Sequence, residues 1–351
     1  MQIINRTYPN ELSIMNDIDR LYSQLSEPEK VKPIVAQRYD DSFESLVLTF
    51  EEYSPYKWSI EFEHREYEQV EPIENNNIIL AFSGGKDSIA SAMRYKQYGY
   101  NVHLYHMRNI NPTFSDEWEC AQKLADMLGL PIFIDEVHFK MFHKWTEHPM
   151  KNMLIANGAL SYGIREGLTT HIAFGNYTTS YLRDNVFDRC AGDCMDMWEN
   201  YDEIIQRSIP TFEMDANLDN MGDTLNMLAD RPDLLNESLS CLCRHSLRDY
   251  RKNWVKEKFG IDLFERRCGS CYKCCVEYIY MADHDKLKYS EGYYKYCLGQ
   301  LYRVALVEKI PVKDVVDIWN TYIFYPLEES HIPEQIQTAR LLKEKIKWEK
   351  C

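Results

Sequence analysis

Apolar and polar positions divide the chain into stretches of different rhythm. From Ile78 onward, short apolar runs (Ile78–Phe82, Val102–Met107, Ile132–Val137 and His171–Phe174) alternate with segments of helical spacing at Asp87–Tyr98, Asp116–Leu128 and Met150–Glu166. Strands separated by helices at this interval predict an α/β fold with a doubly wound parallel sheet. Ligands of such sheets bind at the carboxyl ends of the strands. Ahead of it, Phe43–Val70 alternates partly between apolar and polar residues and is rich in aromatic and β-branched types, which predicts a β-rich extension. Pro72 and the polar run Glu74, Asn75, Asn76, Asn77 mark the connection. Residues 185–300 are more irregular and hold most of the cysteines, and Val304–Lys350 reads as helices punctuated by Pro311, Pro326 and Pro333. Within it, Ala339–Lys350 reads as an amphipathic terminal helix. The expected organisation is a β-rich extension (1–75), an α/β domain (76–240), a cysteine-bearing region (241–285) and a helical tail (286–351).

Composition narrows the class. A chain of 351 residues with 45% apolar content can bury a large core. It has no run of about 18 apolar residues, and Met1–Arg20 is polar and acidic, so membrane spanning and secretion are disfavoured and a cytoplasmic location is expected. A net charge of −15 argues against charge-driven binding to nucleic acid. Eleven cysteines in such a chain, four of them between Cys268 and Cys275, fit a reduced compartment and a metal site better than disulfides.

The first chemical motif follows the first buried run: Ser83, Gly84, Gly85, Lys86, Asp87, Ser88, then a helix. Paired glycines let the backbone turn tightly and approach an anion, and the helix start offers N–H groups and the positive end of its dipole. Ser83 and Ser88 add hydroxyl donors, Lys86 a cation, and Asp87 can hold magnesium or cap the helix. The plainer alternative is a strand-to-helix turn with a cap. Neither GxxxxGK[ST] nor GxGxxG is matched. The six residues resemble the SGGxDS signature of the PP-loop ATP pyrophosphatase superfamily. That resemblance implies a Rossmann-like fold of the adenine nucleotide alpha hydrolase type, with ATP and Mg2+ as cofactors. It also implies a loop that holds the β- and γ-phosphates, with Lys86, Asp87 and Ser88 as catalytic groups beside Ser83, Gly84 and Gly85. It further implies that His106 and Met107 contact adenine mainly by backbone and that Gly175 lies near the phosphates.

The second motif is Cys268, Gly269, Ser270, Cys271, Tyr272, Lys273, Cys274, a knuckle whose thiolates can converge on one ion with a fourth cysteine, Cys241 or Cys243. Zinc (Zn2+) is the natural occupant, and a [4Fe–4S] cluster is the alternative. Cys275 reads as a spare, and Cys120, Cys190, Cys194, Cys297 and Cys351 read as buried small residues.

Together the two motifs resemble the 7-cyano-7-deazaguanine synthase (QueC) family, from about Ile78 to Tyr280. Gly175–Asn176, Asp193–Cys194 and Ser240–Cys241 are similar to family pairs, and that register selects Cys241 over Cys243. The resemblance implies an AMP-forming carbon–nitrogen ligase of queuosine-type biosynthesis. A substrate carboxylate attacks the α-phosphate of ATP, pyrophosphate leaves, and the acyl-adenylate reacts with ammonia. The substrate would be 7-carboxy-7-deazaguanine or a related carboxylate, and a homo-oligomer is left open. The chain departs from the family in about 75 residues before the loop, a tail of roughly 50, a long insertion between Cys243 and Cys268, and different wording over Tyr177–Asp188. In the insertion Arg244, Arg248, Lys252 and Lys256 recur every four residues, joined by Arg251, Lys258, Arg266 and Arg267. This stripe reads as a solvated helix face or as a grip for an acidic partner. Two other functions compete: a PP-loop enzyme that adenylates a tRNA base before sulfur or amine attack, and a non-catalytic ATP-binding interaction module.

Overall fold

A computed structural model of the chain describes residues 13–25, 38–53, 60–71, 73, 75–108, 117–136, 147–175, 195–218, 221–241, 243 and 245–307. These fall into two compact units. The first takes the described residues up to Ser83, from Ala92 to Gly175 and from Met195 to Asn217. The second takes Gly84–Ser91 and those from Leu218 onward.

The first unit is built on five parallel strands, β3 (Asn77–Ala81), β4 (Asn101–Arg108), β5 (Ile132–Glu136), β6 (His171–Phe174) and β7 (Glu213–Asp215), ordered β5-β4-β3-β6-β7. The intervening helices are α3 (Lys86–Gln97), α4 (Glu117–Leu128), α5 (Glu147–Arg165) and α6 (Met195–Gln206). The chain thus leaves β3 first toward β4 and β5, then returns to its other side for β6 and β7. Such a reversal of strand order leaves a crevice at the carboxyl ends of the strands. Residues 78–80 are fully buried, as the unbroken apolar run of a central parallel strand requires. The four strands and three helices expected from the pattern are all present, each within a few residues of its expected bounds.

The N-terminal segment differs from the expectation. Among its described residues it is not β-rich: helices α1 (Ser13–Leu25) and α2 (Phe43–Tyr53) dominate, and β1 (Arg38–Asp40) and β2 (Glu61–Glu63) are three-residue strands that pair with each other. The buried positions Phe43, Leu46 and Val47 in α2 have the spacing of a helix face, which outweighs the aromatic and β-branched composition. Both helices pack on the sheet layer, α1 against α5 and α2 against α6. At their centre the fully buried Asn157 of α5 donates to Met15 O (3.1 Å) and Asp19 Oδ1 (2.9 Å) and accepts from Tyr201 Oη (3.0 Å). Asp40, also fully buried, accepts from Ser42, the Arg65 N–H and Arg207.

The second unit is helical: α7 (Met221–Leu228), α8 (Pro232–Glu237), α9 (His245–Phe259), α10 (Tyr272–Asp283) and α11 (Glu291–Val307). The stretch expected to be irregular is therefore largely helix among its described residues. Helix α11 packs on α9 and α10 through a cluster of Trp254, Phe259, Tyr278, Tyr293 and Tyr296. The tail beyond Val307, the segment Asn176–Cys194 with Cys190, Asp193 and Cys194, Arg244, and Cys351 lie outside the described residues.

Candidate functional site: a phosphate loop and a four-cysteine centre

The second unit brings the two sequence motifs together. Gly84 has φ +73°, a conformation glycine adopts without cost, and its carbonyl accepts from Leu239 N at 2.8 Å. The Lys86 N–H, first of α3, donates to Ser240 Oγ at 3.0 Å. Ser88 Oγ and the Ile89 N–H both donate to Gly85 O, which closes the first turn. Lys86 is 1% exposed, and its Nζ meets Asp87 Oδ1 at 2.6 Å. The loop thus carries a buried cation, an adjoining carboxylate, a hydroxyl and a helix start, the set needed to neutralise a polyphosphate.

The remaining expected nucleotide positions belong to the first unit. Ala81 lies between Tyr105 and Phe174 in the sheet, so Ser83, His106, Met107 and Gly175 all follow at the carboxyl edge of neighbouring strands. Ser83 is exposed and Gly175 half-buried, whereas His106 and Met107 are buried at 4% and 3%. The His106 ring bonds the Phe82 carbonyl through Nδ1 at 2.8 Å, and burial holds its pKa below the ordinary 6.5. Its side chain therefore braces the strand end, which leaves the backbone as its contribution to a ligand.

The sulfurs of Cys241, Cys268, Cys271 and Cys274 lie within 4.8 Å of one another. Four thiolates at about 2.3 Å from one ion stand about 3.8 Å apart. The Cys271–Cys274 and Cys268–Cys274 separations, 3.4 and 4.0 Å, bracket that value. A four-iron cluster binds each cysteine to a different iron and spreads the sulfurs further, so this donor set suits a single soft ion. The thiols of Cys241, Cys271 and Cys274 and the Ser270 N–H hold the Cys268 thiol far below its ordinary range. N–H bonds from Ser270 and Cys271 to Cys268, and from Cys243 to Cys241, supply the outer support that metal thiolates use. Cys243 gives its backbone to the centre, and Cys275 and Cys297 are fully buried free thiols.

Several residues around these motifs carry no sequence signature. Arg267, 1% exposed, donates to Ser238 O (2.7 Å), Ser238 Oγ (2.8 Å) and Glu277 (2.6 Å). Burial works against its charge, and Glu277 more than offsets it. Arg267 is therefore no part of a solvated basic stripe. Nor is the rest of the stripe a free patch: Lys252 pairs with Glu265 and Lys256 with Asp262, both at 2.7 Å or less, and Arg251 donates to Ser270. Arg248 is the exception, because it is 3% exposed and its Nε and Nη2 have no partner among the described residues.

No protein-family model matches the chain. The tRNA-specific 2-thiouridylase MnmA of Francisella philomiragia subsp. philomiragia is 31% identical over 141 residues, 33% of this chain and 37% of that protein. The match supports the PP-loop ATP pyrophosphatase superfamily. The chain spans little more than a third of that relative's length. The four-cysteine group could hold a metal. No helix among the described residues is long and apolar enough to cross a membrane.

Proposed function

We propose that the protein is an AMP-forming ligase that adenylates a substrate carboxylate and passes the acyl group to ammonia or another amine, with a structural zinc at the four cysteines. One observation carries the reading: the segment Leu239–Cys241 bonds the loop at Gly84 and Lys86 and also supplies a thiol to the four-cysteine group, so the two motifs on which the resemblance to QueC rests share one segment. Zinc would be held by Cys241, Cys268, Cys271 and Cys274, with no position left for substrate, and when bound it cross-links the segments that carry them.

In this reading Gly84–Ser88 takes the β- and γ-phosphates. Lys86 and Asp87, paired with each other, would hold phosphate and magnesium, and these charges would offset the negative charge that builds on the leaving pyrophosphate. Ser83 adds a hydroxyl, and the backbones of His106, Met107 and Gly175 border the nucleotide. Arg248 is the candidate grip for the carboxylate, because its Nε and Nη2, without a partner among the described residues, form the edge of the guanidinium that receives two oxygens at once. The test is release of AMP and pyrophosphate from ATP, Mg2+ and ammonium, with and without 7-carboxy-7-deazaguanine. Release should depend on the carboxylate and fall at least about a hundredfold in Asp87→Ala. ATP binding without turnover on any carboxylate would sink the ligase reading.

The match to a tRNA-specific 2-thiouridylase favours a second reading, adenylation of a tRNA base before attack by sulfur or an amine. The same assay with unmodified tRNA in place of the carboxylate decides between them. Pyrophosphate release that needs tRNA, with binding that weakens steeply in salt, would establish the second.

A further inference from the structure

We infer that the four-cysteine centre sets the shape of the phosphate loop, so that metal occupancy and phosphate affinity are coupled through Ser238–Cys241. The coupling rests on the reading of residues 83–88 as a phosphate loop. Its atoms are all in one unit. From the loop side, Gly84 O is held by Leu239 N (2.8 Å) and Lys86 N by Ser240 Oγ (3.0 Å). From the metal side, Cys241 is the next residue in the chain and one of the four sulfurs. From below, Ser238 is gripped twice by Arg267, whose chain neighbour Cys268 is another of the four.

Four consecutive residues are thus fixed at one end by a thiolate, at the other by a buried guanidinium, and in the middle support the loop. Removing the ion leaves four crowded thiols, three of them buried, and Cys241 loses the bond that would fix its position. Leu239 and Ser240 then lose their fixed positions, and with them the bonds that hold Gly84 in its turn and orient the first N–H of α3. Ser240 acts here as a positioning residue: its hydroxyl accepts from the Lys86 N–H and holds the loop there. Linkage demands the reverse effect, because a nucleotide that favours the closed loop must favour the metal-bound centre by the same factor.

Amide hydrogen exchange on the full chain, metal-loaded and after chelation, reads the coupling without turnover. Chelation should speed exchange at Gly85–Ile89 and at Leu239 at least about tenfold, while β4, Asn101–Arg108, stays protected. If chelation unprotects β4 as well, Ser240→Ala decides: with metal content unchanged it should speed exchange at Lys86 and weaken binding of ATP roughly fivefold to tenfold. Saturating ATP should in turn slow metal loss to a colorimetric chelator. Unchanged loop exchange in Ser240→Ala overturns the coupling, and so does tighter ATP binding, which would mean that Ser240 occupies the phosphate seat. Failure of the loaded wild type to bind ATP, with loop exchange still responding to metal, would instead refute the nucleotide reading and leave the mechanical coupling standing.

Discussion

Arg267 and Arg248 are both buried cations of the helical unit, and they have opposite surroundings. Arg267 has its charge and hydrogen bonds met by Glu277 and Ser238, so Arg267→Met strands a buried carboxylate and should cost about 3–5 kcal/mol. The double variant Arg267→Met/Glu277→Leu should recover most of that loss in denaturant titrations, because no charge is then left without a partner. Arg248 has two nitrogens with no partner among the described residues at 3% exposure. Arg248→Met should therefore raise the midpoint of thermal unfolding by about 2 °C while abolishing carboxylate-dependent pyrophosphate release. A fall in the midpoint would make it a structural residue and remove its support for a carboxylate substrate. Neither role could be read from the sequence. A period of four groups Arg248 with Lys252 and Lys256, but periodicity does not say which member of a row turns inward. By contrast, the convergence of the CxxCxxC cysteines was legible, because residue type and spacing together bring the sulfurs to one place.

At the scale of elements, two glycines hold the site in turns that a side chain would disturb. Gly269, between Cys268 and Ser270, has φ +68°, and a Cβ there would stand 2.4 Å from Leu263 Cδ1 and 2.7 Å from Tyr293 Oη. Gly269→Ala should cost at least about 1–2 kcal/mol from the backbone alone and lower the metal content of the purified protein. The other is Gly84, where φ +73° aims the carbonyl at Leu239. Its conformation could be foreseen from the paired glycines, but its partner could not, because Leu239 contributes only its backbone N–H and backbone atoms leave no mark in a sequence. Helix α2 was misread for a related reason. Its Phe, Val, Thr and Tyr are strand formers by composition, and only the three- and four-residue spacing of Phe43, Leu46 and Val47 shows the helix.

At the scale of the whole molecule, the sheet layer carries a pH dependence. Burial holds His106 and His171 below the ordinary 6.5, with Asp215 and Glu213 pulling His171 partly back. The unfolded chain therefore takes up protons first as the solution is acidified. The stability these histidines contribute is complete above about pH 7 and is lost as pH falls through 6.5 toward the folded values. Denaturant titrations at pH 7.5 and 5.5 should show this loss, and His106→Gln should reduce it; equal stability at both would count against buried neutral imidazoles. The sheet itself was the most legible feature, because strand–helix alternation sets its parallel order, whereas the short strand β7 and the packing of α1 and α2 depend on contacts far apart in sequence. Asn157 shows what that packing entails. Its amide spends its donors on Met15 and Asp19, so residues before the first sheet strand complete the interior of residues after it. Cutting the chain ahead of Ile78 would bare an apolar flank and an unpaired amide, leaving a fragment prone to aggregate. The sheet layer of this protein is therefore not a portable module, and gene fusions or truncations that keep its fold must carry the N-terminal helices with it.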